Sequence, residues 1–236
     1  MNIEPIGIIK SPFKQKFAIP RQPGLVKQAI GEIHFDARFS DAMCLRDIEQ
    51  FSHLWLLFEF HQTADKGWSP LVRPPRLGGN QKVGVFATRS TFRPNAIGMS
   101  VVELIDHRLN KGQLVLRVRG IDLLDDTPIL DIKPYIPYSD ALPQAQGGFA
   151  NSAPTSLQQV QFSEQAQQQL ADIQQQHPKI HADLGEFIHD VLAQDPRPAY
   201  KQKQNAVQEY GMSLYDFNIR WQVDQQQSLV LSIVQE

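Results

Sequence analysis

The chain has 236 residues, a formal net charge of −2 and a single cysteine, Cys44. Its 42% hydrophobic and 20% charged content is ordinary for a globular protein of one or two domains with a sizeable core. The cysteine count rules out an intrachain disulfide and any cysteine-rich metal site, and the charge balance rules out a uniformly basic nucleic-acid binder. Met1 to Phe13 lacks the apolar core of a signal sequence and no run approaches a membrane span, so a cytoplasmic location and no membrane contact are expected.

Ile3 to Ile9 alternates and predicts a first strand, ended by Ser11-Pro12. Lys14 to Gly24 is irregular, with Pro20 and Pro23. The first stretch of chain carries Lys10, Lys14, Lys16, Arg21 and Lys27 against one acid, Glu4. Such a loop is either a solvated basic stretch or one that faces a phosphate or another ligand. Val26 to Phe35 predicts a second strand. Asp41 to Phe51 places Met43, Leu45, Ile48 and Phe51 near helical spacing and makes Cys44 a buried, inert thiol. Leu54 to Phe60, LWLLFEF, predicts a central buried strand. It ends in His61-Gln62, a polar pair that is either a satisfied rim pair or the lining of a pocket. Gly67 to Gln81 is a Pro- and Gly-rich loop, long enough for a binding or partner-contact role.

The most informative stretch is Gly84 to Leu104, GVFATRSTFRPNAIGMSVVEL. Val83 to Ala87 and Met99 to Leu104 are apolar and β-rich, and predict strands. Between them lie Thr88, Arg89, Ser90, Thr91, Arg93 and Asn95. Pro94 fixes one φ and keeps Arg93 out of helical geometry, while Gly98 permits a close approach. A rigid polar loop between strands is where function concentrates; the alternative is a well-capped connection with two surface arginines. From Lys66 to Val102 the chain has Lys66, Arg73, Arg76, Lys82, Arg89 and Arg93 but no Asp or Glu. That sorting of charge points to a local anionic partner.

Gln113 to Arg119 alternates and predicts a further strand. Leu123 to Pro128 is an apolar strand end followed by Asp125, Asp126 and a proline turn. Ile129 to Pro137 is extended. Strands at this frequency predict a mainly β protein, with an N-terminal β-barrel or sandwich over residues 1–142. Residues 141–157 are rich in Gly, Ala, Ser, Pro and Gln and predict a linker. A small α+β domain is expected over residues 158–236. Its first helix is capped by Ser163 and carries Phe162, Ala166, Leu170 and Ile173 on one face. Its second carries Leu184, Phe187, Ile188, Val191 and Leu192 and stops at Asp195-Pro196. Gly211 to Val223 and Leu229 to Val234 predict a closing hairpin.

Several chemistries lack their residues. There is no GxGxxG after a first strand, no P-loop, no HExxH, no Cys/His ligand set and no GxSxG elbow. Metal-free group transfer or binding remains, and no metal is expected.

GVFATRSTFRPNAIGMSVVEL, together with PIGIIKSPF (Pro5 to Phe13), IPRQPGL (Ile19 to Leu25) and LLDDTPILDIKPYIPYSD (Leu123 to Asp140), resembles the signature of the TsaA-like family. Bacterial members of that family include the TrmO-type tRNA methyltransferases. Thr91 stands where proline is expected, and Met99 where leucine is common. DPRPAYKQK and YDFNIRWQV resemble the C-terminal extension of gamma-proteobacterial members. The resemblance implies a methyl-donor site on a β-barrel, with S-adenosylmethionine as donor. The implied acceptor is N6 of the threonylcarbamoyl-bearing adenosine beside the anticodon of tRNA. Homodimers with the pocket near the interface are also implied.

Carried over by that resemblance, the donor-binding positions are Pro20, Arg21 and Gln22; His61 and Gln62; Arg89; Met99; and Asp126, Thr127, Pro128 and Ile129. Arg89 is expected to pair with the donor's carboxylate. Gln22 and Gln62 are expected to read the adenine edge, and Asp126 to meet the ribose hydroxyls or the amine. Transfer from a sulfonium is chiefly a matter of alignment. The base that takes the acceptor's proton is open among Asp131, Lys133, Tyr135 and Asp140. Arg93 and Asn95 either contact the acceptor or shape the loop. Arg197, Lys201 and Arg220, with Trp221, either meet an unpaired RNA loop or are core aromatics with peripheral charges. The rival reading is a non-catalytic S-adenosylmethionine-binding or RNA-binding adaptor.

Overall fold

The computed structural model describes residues 2–78, 80–153, 159–178, 182–197, 207–225 and 227–236. The chain divides into two compact units, each assembled from separate segments. The first takes Met1–Lys10, Gly31–Arg119 and Asp126–Pro154; the second takes Ser11–Ile30, Gly120–Asp125 and Thr155–Glu236.

In the first unit the strands are β1 (Gly7–Lys10), β2 (Ile30–Phe35), β3 (His53–Glu59), β4 (Leu71–Val72), β5 (Val83–Gly84), β6 (Ile97–Asn110), β7 (Gln113–Arg119) and β8 (Thr127–Pro134). β4 and β5 form a small ribbon of their own, and the others close into a barrel in the order β1-β2-β7-β6-β3-β8. The apolar run in β3 is not buried on both faces. Leu54, Leu56 and Phe58 point inward, while Trp55 and Leu57 are only half-buried, because a closed barrel has one interior. Val102, Leu114, Leu116, Val118, Ile33, Ile9 and Ile129 complete that interior. Each such side chain contributes about 1.5–3 kcal/mol on burial.

Several sequence expectations are corrected here. The first two strands are shorter at their starts than alternation predicts: of Ile3 to Ile6 only Ile6 makes backbone bonds to the barrel, and residues 26–29 belong to the second unit. Asp41 to Phe51 forms two 3-10 turns instead of a helix, interrupted by Asp47 at φ 65°. Cys44 is exposed, not buried. Only Val83–Gly84 is strand ahead of the central loop; Val85–Ala87 is a 3-10 turn. β6 is much longer than expected, and beyond its pairing with β3 it continues with β7 alone.

The second unit holds β9 (Gln159–Phe162), the helices α2 (Glu164–Gln176) and α3 (Leu184–Ala193), and the strands β10 (Gln208–Leu214), β11 (Phe217–Asp224) and β12 (Gln227–Gln235). A short α1 (Pro137–Asp140) precedes them in the first unit. The sheet order is β10-β11-β12-β9, with β9 parallel to β12. The predicted hairpin is therefore a three-stranded meander, since Tyr215-Asp216 turns the chain within what reads as one segment. Ser163 caps α2 by accepting from the Ala166 N–H at 3.1 Å. Leu184, Phe187, Ile188, Val191 and Leu192 are buried along α3 as their spacing requires.

Candidate active site

The barrel registers gather strand ends at one rim. Ile9 near the end of β1 pairs with Thr127 at the start of β8, and Phe58 near the end of β3 pairs with both Ile129 and Gly98. The chain leaves β3 through a tight turn. Phe60 donates its N–H to Ala96 O at 2.7 Å, and its carbonyl accepts the N–H groups of Thr63 and Ala64 at 2.9 and 3.0 Å. This turn presents His61 half-buried and Gln62 exposed. Gly98 lies beneath it. A Cβ there would stand 2.4 Å from Phe58 Cε2 and 2.8 Å from Phe60 Cζ, so only glycine lets the two rings meet edge to face at 5.4 Å.

The central loop holds itself in shape. Thr88 Oγ1 donates to Val85 O at 2.8 Å and accepts from the Ser90 N–H at 3.2 Å. Ser90 Oγ accepts from the Phe92 N–H at 3.2 Å. Arg93 Nη1 donates to Thr88 O at 3.1 Å and Ser90 O at 3.2 Å. These alternating hydroxyl-to-backbone bonds are what Thr and Ser at those positions favour. Arg93 thereby ties two carbonyls of its own loop together. Arg89 stands exposed on this stapled backbone, and Asn95 is exposed with its carbonyl accepting the Ile97 N–H at 2.7 Å.

Asp126 opens β8 with φ 60°, a left-handed conformation that costs a non-glycine residue on the order of 1–3 kcal/mol unless neighbours hold it. Here its N–H donates to Ile9 O at 3.0 Å and its carboxylate pairs with Lys10 Nζ. Thr127 and Ile129 point into the barrel, so only their backbones and Pro128 between them face outward. In the second unit Asp125 takes the Ser11 N–H at 2.7 Å and Lys14 Nζ at 2.6 Å. Nothing in the sequence pattern singled out Lys10, Ser11 or Lys14 as the partners of these acids.

On the outer face of the barrel, Met99, Leu57 and Asp131 are register neighbours across β6, β3 and β8. Met99 is 50% exposed. The candidates for the proton acceptor spread along β8. Asp131 lies roughly 13 Å along the strand from Thr127 at about 3.3 Å per residue. It accepts from Lys133 Nζ at 2.7 Å and the Ile132 N–H at 2.9 Å. Tyr135 packs against Trp55 at 5.9 Å and His53 at 6.4 Å. Asp140 accepts from Trp55 Nε1 and the Ile136 N–H, both at 2.9 Å, and these donors hold its carboxyl below the usual range.

The acid-free window keeps its charge. Lys66, Arg73, Arg76, Lys82 and Arg89 are exposed, and Arg76 also donates to the Ser152 carbonyl. Among the described residues no group of His, Cys, Asp and Glu is arranged to hold a metal ion. No helix among them is long and apolar enough to cross a membrane.

In the second unit Pro20 is buried, Gln22 half-buried and Arg21 exposed. The RNA candidates there divide. Arg197 is corrected from a surface cation to a structural one. Its Nε and Nη2 reach Asp195 Oδ1 and Oδ2 at 2.7 and 2.8 Å, and both side chains are 5% exposed. The Asp195 carboxylate raises the guanidinium's affinity for its proton further. Trp221 is likewise core, 1% exposed and stacked on Tyr210 at 5.4 Å. Arg220 is exposed and pairs with Glu209 at 3.0 Å. Lys201 lies outside the described residues.

Residues 8–141 match the family profile described as the tRNA-methyltransferase O N-terminal domain, and residues 155–236 match the TrmO C-terminal domain. The chain belongs to the tRNA-methyltransferase O family. It is 51% identical over 222 residues to a tRNA (adenine(37)-N6)-methyltransferase of Escherichia coli, covering 94% of this chain and 93% of that protein. A Pseudomonas aeruginosa protein, described provisionally as an S-adenosylmethionine-dependent methyltransferase, is 48% identical over 93% of this chain and 91% of its own length. The crystal structure of TrmO from Pseudomonas aeruginosa superimposes with a TM-score of 0.79 at 40% identity, over 99% of this chain and 98% of that one. A barrel of TrmO type accounts for the missing dinucleotide fingerprint, since the described residues form no Rossmann sheet.

Proposed function

We propose that this chain transfers the methyl group of S-adenosylmethionine to N6 of adenosine 37 in tRNA, acting on the threonylcarbamoyl form of that base. The observation that carries the reading is family membership through both halves of the chain, in order. The rim offers groups suited to the donor: Arg89 for the carboxylate, Gln62 for the adenine edge, and Asp126 for the ribose or the ammonium. His61, Met99, Thr127, Pro128 and Ile129 belong to the same set, Thr127 and Ile129 through their backbones. Pro20, Arg21 and Gln22 are donor-binding positions in this reading through the family likeness. When bound, the sulfonium supplies an already activated methyl group. The residues of the chain therefore bind and align, a proximity effect worth several kcal/mol.

The proton acceptor in this reading comes from Asp131, Lys133, Tyr135 and Asp140, of which Asp131 shares a register row with Met99. The exposed cations of the acid-free window are suited to the RNA backbone. Pairing of two copies belongs to the same reading, and Ile97 and Met99, 38% and 50% exposed, give such a contact apolar area. A tRNA substrate fits a cytoplasmic enzyme.

The decisive assay incubates the full chain with methyl-labelled donor and total tRNA from cells able or unable to make the threonylcarbamoyl group. Label is expected only in the first, in one nucleoside. Calorimetry on Arg89→Ala is expected to show donor affinity down about tenfold, as loss of a charge-assisted bond requires. Unchanged affinity removes Arg89 from the site.

A further inference from the structure

Residues 11–30 form an excursion of the second unit, bounded by barrel strands β1 and β2, and they contain Pro20, Arg21 and Gln22. The turn between β10 and β11 holds both ends of it. At the near end, Phe13 bridges Leu214 and the Tyr215 N–H donates to Pro12 O at 2.9 Å. At the far end, the Ile30 backbone hydrogen-bonds the Tyr215 phenol. The rings of Phe13, Phe187 and Tyr215 form a column, with centroids 5.8 and 5.3 Å apart. Gln28 Nε2 adds a bond to Glu186 Oε2 at 3.1 Å.

A second observation is independent of these contacts. Tyr215 has φ 55°, a turn position that glycine or asparagine fills at little cost and a bulky residue does not. A tyrosine persists there only where its side chain is held. Burial also lifts its phenol to about 12, so it remains a neutral hydrogen-bonding group.

We propose that Tyr215 is a positioning residue for the donor-binding segment, fixing the entry and exit of residues 11–30 from the C-terminal sheet. The proposal rests on the donor-binding reading of Pro20, Arg21 and Gln22. A loop clamped at both ends loses less freedom when a ligand orders it, so the clamp acts on donor affinity and not on the methyl-transfer step itself.

The test uses the full chain with Tyr215→Gly, which keeps the turn backbone and removes the ring, and Tyr215→Phe, which removes only the hydroxyl. Ile219→Val, in the buried face of the same sheet, is the control. We expect Tyr215→Gly to raise Kd and KM for S-adenosylmethionine about tenfold, with kcat at saturating donor within about twofold; Tyr215→Phe is expected to raise them about threefold. Amide exchange over residues 14–28 is expected to quicken in the same order. The control is expected to lower Tm alone. If Tyr215→Gly does not fold, Tyr215→Phe carries the test. A loss of Tm with donor Kd and exchange unchanged overturns the proposal and leaves the function standing. A wild-type chain that binds no donor overturns the function, and the proposal with it.

Discussion

Gly98→Ala tests whether the aromatic pair beneath the β3 exit is as tightly built as it stands. The new Cβ would lie 2.4 and 2.5 Å from two ring carbons of Phe58 and 2.8 Å from one of Phe60. Carbon contacts rest at about 3.5–4.0 Å, so both rings must withdraw by about 1 Å. Phe58 is 5% exposed and locked edge-on against Phe60, so the displacement reaches the turn that carries His61 and Gln62. Overpacking of this kind costs about 1–3 kcal/mol, and two displaced rings place it at about 2–3 kcal/mol. At about 2–4 °C per kcal/mol for a chain of this size, Tm falls by roughly 4–12 °C. Phe58→Leu makes room in the same place. The double variant is therefore expected to be more stable than the sum of the singles by about 1 kcal/mol or more. Denaturant titrations of the four proteins give the cycle. Wild-type stability in Gly98→Ala, or strict additivity, would refute the packing argument.

Arg93→Ala removes the two bonds that Nη1 gives to the central loop and is expected to speed amide exchange across residues 88–93 and weaken donor binding; Arg93→Lys should restore part of the protection, because one nitrogen makes both bonds. Arg197→Ala removes the guanidinium that faces the buried Asp195 carboxylate, and should cost about 3–5 kcal/mol in denaturation of the second unit, against much less for Asp195→Asn with Arg197→Met. Asp106, held below the usual carboxylate range by its bond from Arg117, carries stability that is complete above the unfolded pKa and lost as pH falls through the lower folded one. Because the pair is half-exposed, Asp106→Asn should cost no more than about 1 kcal/mol at pH 7, and its denaturation midpoint should converge on wild type in strong acid.

Local pattern determined a good deal by itself. The alternation of Gln113 to Arg119 is a strand because period-two burial suits one face of a barrel and little else. Ser163 caps a helix because its hydroxyl reaches the backbone three residues on. The polar insert between Thr88 and Asn95 was legible as a rigid loop, since Pro94 and the hydroxyl residues carry their geometry with them.

Tertiary structure alone decided which strand ends meet at a rim and which side chains are spent inside the fold. Arg197 reads as a surface cation in the sequence, but the Asp195 carboxylate holds it inside the fold. It also decided that residues 11–30 belong with the C-terminal sheet, through Phe13, Leu214 and Tyr215. Periodicity reports only what a residue does relative to its own strand or helix. Pairing between segments some two hundred residues apart is set by shape and by the closing of hydrogen bonds, which no local pattern encodes.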